Sequence, residues 1–218
     1  MTSLDIQNCA QSHFQSYLLE PTIQYQEIEK ISLILRRWYQ TADVLYKNTK
    51  GTDLSEKCNV TCTLTRIVIE KILSKKLDFF LICKNESELL GVMTLERHSY
   101  SRRQGGFLYI SYLLVNPDYI FDPSKPENKI SGIGRHLLRS AESICWQLDL
   151  DYISLNSTPN ARTFYLHYGY EIPNRNNFEP ESWMYPDLYK PATKLIESEL
   201  VPVKTGYVYL ESDDEKTS

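Results

Sequence analysis

The sequence has no apolar run approaching the roughly 18 residues that a membrane-spanning helix requires. Its first eight residues, MTSLDIQN, contain neither a basic leader nor an apolar stretch, so no secretory signal is visible. Glycine is scarce, with 8 among 218 residues, and the 10 prolines follow no period, which excludes fibrous and low-complexity proteins. We therefore expect a soluble, cytoplasmic, globular protein that does not bind membranes.

An excess of positive charge is also absent. The chain has 24 lysines and arginines against 28 aspartates and glutamates, which gives a formal net charge of −4. A protein that binds nucleic acid needs cations to displace the phosphate counterions, so we expect no nucleic-acid partner.

The five cysteines are odd in number and irregularly spaced, which does not make a disulfide framework. Free thiols in a reducing compartment are the better interpretation. Cys58 and Cys62 are four residues apart, as two metal ligands can be, but no second Cys or His pair follows at ligand spacing. The sequence therefore predicts no metal site.

The first half of the chain contains two helical patterns and a hairpin pattern. Apolar residues three to five apart predict a helix over 22–46. Residues 59–74 also show helical spacing, although their many β-branched side chains leave a strand open. The apolar segments 78–84 and 89–98 flank a polar linker, 85–88, and this arrangement is typical of a β-hairpin.

The second half alternates strands and helices. Residues 107–115 are apolar on both faces, as in a central strand covered on both sides. An amphipathic helix over 133–148, a short strand at 152–156, a helix from Thr158 to Gly169 and a strand at 170–172 follow. Strand–helix–strand connections require right-handed crossovers, hence partly parallel pairing. With the antiparallel hairpin, this predicts an α+β fold built on a mixed sheet.

Nothing in the composition divides the chain into two units, and the length suits one large domain. We expect an N-terminal extension at 1–13, a single domain over 14–210, and a frayed acidic tail at 211–218.

The segment KISGIGRHLL, residues 129–138, has two glycines where a loop enters a helix. Glycine lets the backbone turn with its N–H groups exposed, and the start of a helix is partly positive, so the segment could hold a pyrophosphate. Leu137 stands where a dinucleotide-binding fingerprint needs its third glycine, and the Gly-Lys-Ser/Thr of a Walker loop is missing. A merely tight junction between loop and helix is the alternative.

The order of these segments resembles the GNAT superfamily of acetyl-CoA-dependent N-acetyltransferases. LLVNP at 113–117, Lys-x-x-Gly-x-Gly at 129–134 and Ala-x-x-Phe-Tyr-x-x-x-Gly-Tyr at 161–170 occur in the family's order. The resemblance covers about 78–173, whereas 14–76 fits the family's first strand and two helices only loosely. It implies a central mixed sheet with antiparallel N-terminal strands, a parallel strand pair splayed around the cofactor, and helices on both faces.

The resemblance also implies an activity, the transfer of an acetyl group from acetyl-CoA to a primary amine through a tetrahedral intermediate. Tyr165 falls on the position of the tyrosine that often protonates the departing thiolate, although core packing would also explain this residue. The implied cofactor-binding residues, most of them acting through main-chain groups, are Leu113, Leu114, Val115, Lys129, Ile130, Ser131, Gly132, Ile133, Gly134 and Thr158. Two of these depart from the family pattern, since Lys129 replaces Gln or Arg and Thr158 replaces Asn.

The main departure from the family pattern concerns the general base, because Ser111 occupies the strand position where many members place a glutamate. Glu96 and His98 alternate onto one face of the neighbouring strand and either could relay the proton, with Glu96 preferred as the base, although a solvated charge at a strand end is the alternative. The missing glutamate favours a second hypothesis, in which the chain is a catalytically silent module that binds CoA or a protein.

The acceptor is left open by the sequence, as either a small molecule or a protein that carries an amine. A longer acyl-CoA as donor, and a monomer or a homodimer, are equally open. The acidic and aromatic segment 178–189 could line a site for a cationic amine, or could simply pack its rings onto the sheet.

Overall fold

The computed structural model describes residues 14–19, 24–74, 78–86, 88–100, 105–121, 132–173, 188–191 and 203–205. The strands in these ranges are β1 (Gln15–Leu19), β2 (Phe79–Lys84), β3 (Leu89–Ser99), β4 (Gly106–Val115), β5 (Tyr152–Leu155), β6 (Leu188–Pro191) and β7 (Val203–Thr205). The helices are α1 (Tyr25–Asn48), α2 (Asp53–Leu73), α3 (Pro117–Phe121), α4 (Ile133–Gln147) and α5 (Pro159–His167). The predicted extension at 1–13 and tail at 211–218 lie outside the described residues.

The strands form one mixed sheet in the order β6-β5-β4-β3-β2-β1-β7. Strands β1 to β4 pair antiparallel with their sequence neighbours, and β5 pairs with β4 in parallel. The sheet also contains a second parallel pair, β1 with β7, which the sequence did not predict. The α+β fold class with a mixed sheet is confirmed.

Helices cover both faces of the sheet. The neighbouring β3 residues Val92 and Met93 belong to two different hydrophobic clusters, and neighbouring side chains on a strand point to opposite faces. One cluster joins α1 and α2 to the sheet, and we call that side the α1/α2 face; its members include Ile28, Leu35, Val68, Ile72, Phe80 and Leu114. The other joins α4 and α5 to the sheet and defines the α4 face; its members include Leu108, Ile110, Leu137, Ile144, Ile153 and Tyr165.

The second helix is longer than its periodicity predicts. The β-branched residues of 59–74 are helical as far as Leu73, and α2 begins at Asp53, six residues before the predicted start at 59. Thr52 explains this start, because its side-chain oxygen accepts a hydrogen bond from the backbone N–H of Ser55 at 3.2 Å. Such a cap satisfies an amide that the first turn leaves without an intrahelical partner.

The predicted strand at 170–172 is wrong. The backbone there makes a single bridge, in which Glu171 and Tyr189 exchange hydrogen bonds of 2.7 and 2.9 Å. Strand β6 instead takes the place next to β5, along its whole length. Tyr170 is 2% exposed and packs its ring 5.8 Å from that of Tyr165, so its apolar character reflects side-chain burial rather than strand pairing.

The connection after β4 contains the short helix α3, which the sequence did not predict. Pro117 begins it, where a missing N–H costs no hydrogen bond. The side-chain oxygen of Asn116 accepts a hydrogen bond from the N–H of Asp118 at 3.1 Å. None of the described helices combines the length and the apolar character that crossing a membrane requires.

Candidate active site

The parallel pair of β4 and β5 is short and leaves one edge of β4 open. The pairing runs from Phe107 with Tyr152 to Ile110 with Leu155. Strand β4 continues for five more residues, 111–115, and beyond Ile110 no strand pairs with its β5 side among the described residues. The backbone of 111–115 therefore borders a gap in the sheet, where a ligand can reach main-chain groups.

A β-bulge lies where this gap begins. On β3, Thr94 pairs with Tyr112 and Leu95 pairs with Ile110, so Ser111 is the extra residue of β4. A bulge shifts the alternation of faces and bends the strand. As a result, Ser111 and Tyr112 both contact groups of the α1/α2 face, namely Glu96 and Lys71.

Glu96 on β3 is the centre of a polar cluster at the bulge. Its Oε1 accepts hydrogen bonds from the Ser111 hydroxyl and from the Lys71 ammonium, the latter at 2.8 Å. Nε2 of His98 lies 3.8 Å from its Oε2, which confirms that the two side chains share a face. The structure thus brings a carboxylate from β3 to the hydroxyl of the bulged residue on β4.

Two opposing effects set the acidity of Glu96. Burial favours the neutral acid and raises its pKa. Hydrogen bonds from Lys71 and Ser111, together with the positive charge of Lys71, favour the carboxylate and outweigh burial, so the pKa of Glu96 lies below the usual value of 4.5. Glu96 is therefore ionised at neutral pH.

Aromatic rings surround the carboxylate. The ring of His98 stacks on Phe107 at a centroid distance of 4.7 Å, and Phe107 stacks on Tyr152 at 5.1 Å. Burial, followed by the negative charge of Glu96, raises the pKa of Tyr109, which packs edge-on against His98. The cluster therefore combines one carboxylate with ring faces that attract cations.

The segment 129–134, which is predicted to hold a pyrophosphate and which we call the anion cradle, leads into α4. Gly132 caps the helix with φ of +92°, a conformation that residues other than glycine rarely adopt, and a Cβ there would meet no atom of the described residues within 4 Å. The first helical hydrogen bond runs from the N–H of His136 to the carbonyl of Gly132. The amides of Ile133, Gly134 and Arg135 therefore have no intrahelical acceptor and point out of the helix start. Lys129, Ile130 and Ser131 lie outside the described residues.

Two glycines allow the elements around this cradle to pack closely. A Cβ on Gly91 of β3 would lie 2.8 Å from Cγ2 of Ile133 and 3.2 Å from the carbonyl oxygen of Leu114. A Cβ on Gly134 would lie 3.1 Å from Cζ of Phe164 on α5. The end of β4, the start of α4 and helix α5 therefore converge at one place, and the open edge of β4 leads there.

The predicted pantetheine segment lies on that edge. Leu114 is 4% exposed and packs its side chain on the α1/α2 face, whereas Leu113 and Val115 pack against the cluster of the α4 face. The N–H of Asn116 donates to the carbonyl of Leu90 on the β3 side, so by strand alternation the main chain of Leu114 also faces β3. The main-chain groups of Leu113 and Val115 face the gap between β4 and β5, which suits hydrogen bonding to an extended amide-bearing ligand. The carbonyl oxygen of a ligand in this gap would lie beside the same main-chain N–H groups of β4.

Tyr165 lies on α5, in the cluster of the α4 face. Its side chain is 9% exposed, with the rings of Phe164 and Tyr170 at 5.2 and 5.8 Å. Burial raises the pKa of Tyr165 to about 12, so the hydroxyl stays protonated at neutral pH. Thr158 caps the same helix through its backbone conformation alone, because its side chain makes no capping hydrogen bond.

Glu96 and Tyr165 lie on opposite faces of the sheet, and the gap beside 111–115 joins the two faces. Among the described residues, no group of three or more His, Cys, Asp or Glu side chains is placed to hold a metal ion.

Two residues of this site are missing from the sequence interpretation. An isolated glycine in an apolar strand indicates a close approach of backbone or side chains, and Gly91 could have been found by that signal. Lys71 has no local signal, because its partner Glu96 is 25 residues away and the register of β3 decides the contact.

Comparison with known domains identifies the class of protein as an acetyltransferase. A model described as the Acetyltransferase (GNAT) domain matches residues 55–182, more than half of the chain. The chain belongs to the GNAT acetyltransferase family, which confirms the resemblance seen in the sequence. The matched range includes the bulge, the cradle and Tyr165.

Solved structures of GNAT proteins are similar to the chain at low identity. A possible acetyltransferase from Clostridium difficile is 17% identical, covering 78% of this chain and 99% of that one with a TM-score of 0.46. A GCN5-related N-acetyltransferase from Ralstonia eutropha is 15% identical, with coverages of 77% and 97% and a TM-score of 0.43. A GNAT family acetyltransferase from Brucella melitensis, solved in complex with acetyl-CoA, is 14% identical, with coverages of 73% and 84% and a TM-score of 0.41. No curated protein matches the sequence.

Proposed function

We propose that the protein transfers an acetyl group from acetyl-CoA to a primary amine, by direct attack of the amine on the thioester. The observation that carries this proposal is the convergence of three elements beside the open edge of β4. Gly91 and Gly134 let the free amides of α4 and the tyrosine helix α5 approach the main chain of Leu114.

The described residues fit acetyl-CoA. Gly132 has a left-handed backbone, and the amides of Ile133 and Gly134 that follow it have no intrahelical acceptor, so they could bind a pyrophosphate. Lys129, Ile130 and Ser131 belong to the same proposed cradle by motif, and Thr158 is proposed as a further contact. The main chain of Leu113 and Val115 would hydrogen-bond the pantetheine arm. When bound, acetyl-CoA supplies the activated acetyl group.

The residues around the gap have the chemistry that acetyl transfer needs. An amine attacks only when neutral, and the ionised Glu96 would accept its proton, directly or through a water molecule. Main-chain N–H groups near Leu114 would stabilise the negative oxygen of the tetrahedral intermediate. Tyr165, protonated and on the other face, would donate a proton to the departing thiolate. Base and acid on opposite faces suit an amine that arrives from one side while the thiolate leaves on the other.

The second hypothesis, a catalytically silent module, depends on the absence of a glutamate at position 111. The contact between Ser111 and Glu96 weakens that argument, because a carboxylate is present at the same bulge. A primary amine is favoured as the acceptor by the carboxylate and the rings of Tyr109 and Tyr112 beside it. The acidic and aromatic segment proposed to line the acceptor site, 178–189, lies outside the described residues except for Leu188 and Tyr189.

The same proposal includes a single domain over residues 14–210 and a protein that acts in the reducing cytoplasm. Four of the five cysteines lie in the described part of the chain, and all four are free and buried. Buried thiols persist unpaired where the surroundings are reducing.

The test is release of free CoA from acetyl-CoA in the presence of small amines, polyamines, aminoglycosides and lysine-containing peptides, with thiol detection. We expect release that depends on one class of amine and on active protein. Calorimetry with CoA separates the hypotheses, because a silent module would bind CoA without turnover. Failure to bind CoA at all would overturn both.

A further inference from the structure

The acceptor side of the proposed site already holds a primary amine from this chain. Nζ of Lys71 lies 2.8 Å from Oε1 of Glu96, and it also lies 5.1 Å from the centre of the Tyr112 ring. A carboxylate and a ring face are the groups that would hold an external ammonium ion. Lys71 therefore occupies the position that the proposed mechanism assigns to the acceptor.

The contacts of Lys71 link it to the gap between β4 and β5. Tyr112 belongs to the segment 111–115, which no described strand pairs with on its β5 side, and Glu96 also accepts the hydrogen bond of Ser111 at the bulge where that segment begins. Lys71 lies in the last turn of α2, and its side chain is 27% exposed. The amine thus lies beside a side chain of the segment 111–115, and about a quarter of the Lys71 side chain is exposed.

We propose that Lys71 is a self-acetylation site, whose Nζ takes the acetyl group of acetyl-CoA bound in the same molecule. This inference rests on the proposed function. Glu96 accepts a proton from the Lys71 ammonium, and the nitrogen lone pair then forms a C–N bond with the thioester carbonyl carbon. The C–S bond breaks, the nitrogen gives up its second proton to water, and the thiolate takes a proton from Tyr165. Glu96 then releases its proton to solvent, and Tyr165 regains one from solvent. The products are N-acetyl-lysine at position 71 and free CoA.

Acetylation would change the acceptor side of the site. The neutral amide of acetyl-lysine can no longer form an ion pair, so Glu96 loses its positive partner. The carboxylate then becomes available to an external ammonium ion, because the internal competitor is gone. Self-acetylation would therefore precede transfer to an external amine.

The chain provides a matched control in Lys190. Its Nζ lies 2.7 Å from Oε1 of Glu142, and its side chain is 25% exposed, close to the value for Lys71. Lys190 and Lys71 are thus each ion-paired with one glutamate and are exposed to a similar degree. Glu142 lies on α4, however, ten residues along the chain from Gly132 of the cradle. Chemical acetylation by acetyl-CoA in solution would treat the two lysines alike.

The experiment incubates the full-length protein with acetyl-CoA alone and follows acetylation of each lysine by peptide mass spectrometry. We expect Lys71 to gain one acetyl group while Lys190 remains unmodified, with a rate constant independent of protein concentration. Glu96→Gln should slow the modification by about 10²- to 10⁴-fold, the usual contribution of a positioned base. Lys71→Arg should abolish the signal, and Lys190→Arg should leave it unchanged.

Different failures point to different conclusions. Acetylation of an external amine by a protein whose Lys71 stays unmodified would overturn the self-acetylation and leave the proposed function standing. Equal modification of Lys71 and Lys190 would show solution chemistry and would also overturn it. Absence of CoA binding would overturn the proposed function and this inference together.

Discussion

The hydroxyl of Ser111 on β4 donates a hydrogen bond to Oε1 of Glu96 on β3. Ser111 is the bulged residue where β4 leaves β5. The carboxylate at this point therefore comes from the neighbouring strand. Four predictions follow from this arrangement and from the packing around the α4 cradle.

Replacement of Gly132 by valine tests the anion cradle. A branched side chain at φ of +92° strains the backbone and fills the space beside the free amides, so we expect CoA binding to weaken by about 10- to 100-fold, the equivalent of one hydrogen bond to a charged group. Calorimetry measures the change. Gly51→Val is the control, because Gly51 has φ of +84° and open space but lies between α1 and α2. Equal loss of CoA affinity in both variants would contradict the prediction.

Replacement of Tyr165 by phenylalanine removes only the hydroxyl. If that hydroxyl protonates the thiolate, turnover should fall by about 10²- to 10⁴-fold with little change in melting temperature. The matched control is Tyr170→Phe, since the neighbouring Tyr170 hydroxyl is buried without a hydrogen-bond partner in the described part of the chain. That variant should keep its turnover. Normal turnover in Tyr165→Phe would show that Tyr165 is a core residue.

The acidity of Glu96 predicts a pH-dependent stability. The pKa of Glu96 in the folded protein is lowered, net of burial, by hydrogen bonds from Lys71 and Ser111, so the ionised carboxylate stabilises the folded state. This contribution is present above the usual carboxyl pKa and is lost as the pH falls through the lower pKa of the folded protein. The difference in unfolding free energy between the native protein and Glu96→Gln should shrink over that acidic interval.

Urea unfolding at a series of pH values measures this difference. Glu70→Gln serves as the control, because Glu70 lies on the surface of α2 with 68% of its side chain exposed, 3.9 Å from Arg66. Exposed ion pairs contribute little to stability, so this variant should follow the native protein at every pH. A gap between the native protein and Glu96→Gln that is constant with pH would contradict the assignment.

Replacement of Gly91 by alanine tests the packing that brings α4 to β4. The added Cβ would lie 2.8 Å from Cγ2 of Ile133, 2.9 Å from Cδ1 of Leu137 and 3.2 Å from the Leu114 carbonyl oxygen, so these side chains or the backbone around them must shift. Overpacking of this kind costs about 1–3 kcal/mol, and displacement of α4 should also raise the KM for acetyl-CoA. Denaturant unfolding and initial rates measure the two effects. Unchanged stability and KM would show that the surroundings of Gly91 accommodate a methyl group and would contradict the prediction.

Much of the fold could be predicted from local patterns. The helical periodicity of α1 and α4, the hairpin of β2 and β3 and the buried strand β4 are all found within a few residues of their expected ends. Gly132, where the loop enters α4, could be identified because a positive φ favours glycine. The strand expected at 170–172 is wrong because a segment as short as Tyr170-Glu171-Ile172 does not distinguish a buried tyrosine from a paired strand.

The sequence by itself determined the family, most of the helices and strands between residues 22 and 169, and the candidate positions of Tyr165 and the glycine cradle, because these depend on residue types at short spacings. The tertiary structure alone decided which side chains meet. Glu96, Ser111 and Lys71 come from three elements, and their contact depends on the register of β3 with β4. A one-residue bulge sets that register locally and turns Ser111 and Tyr112 to the same face, which no local pattern encodes.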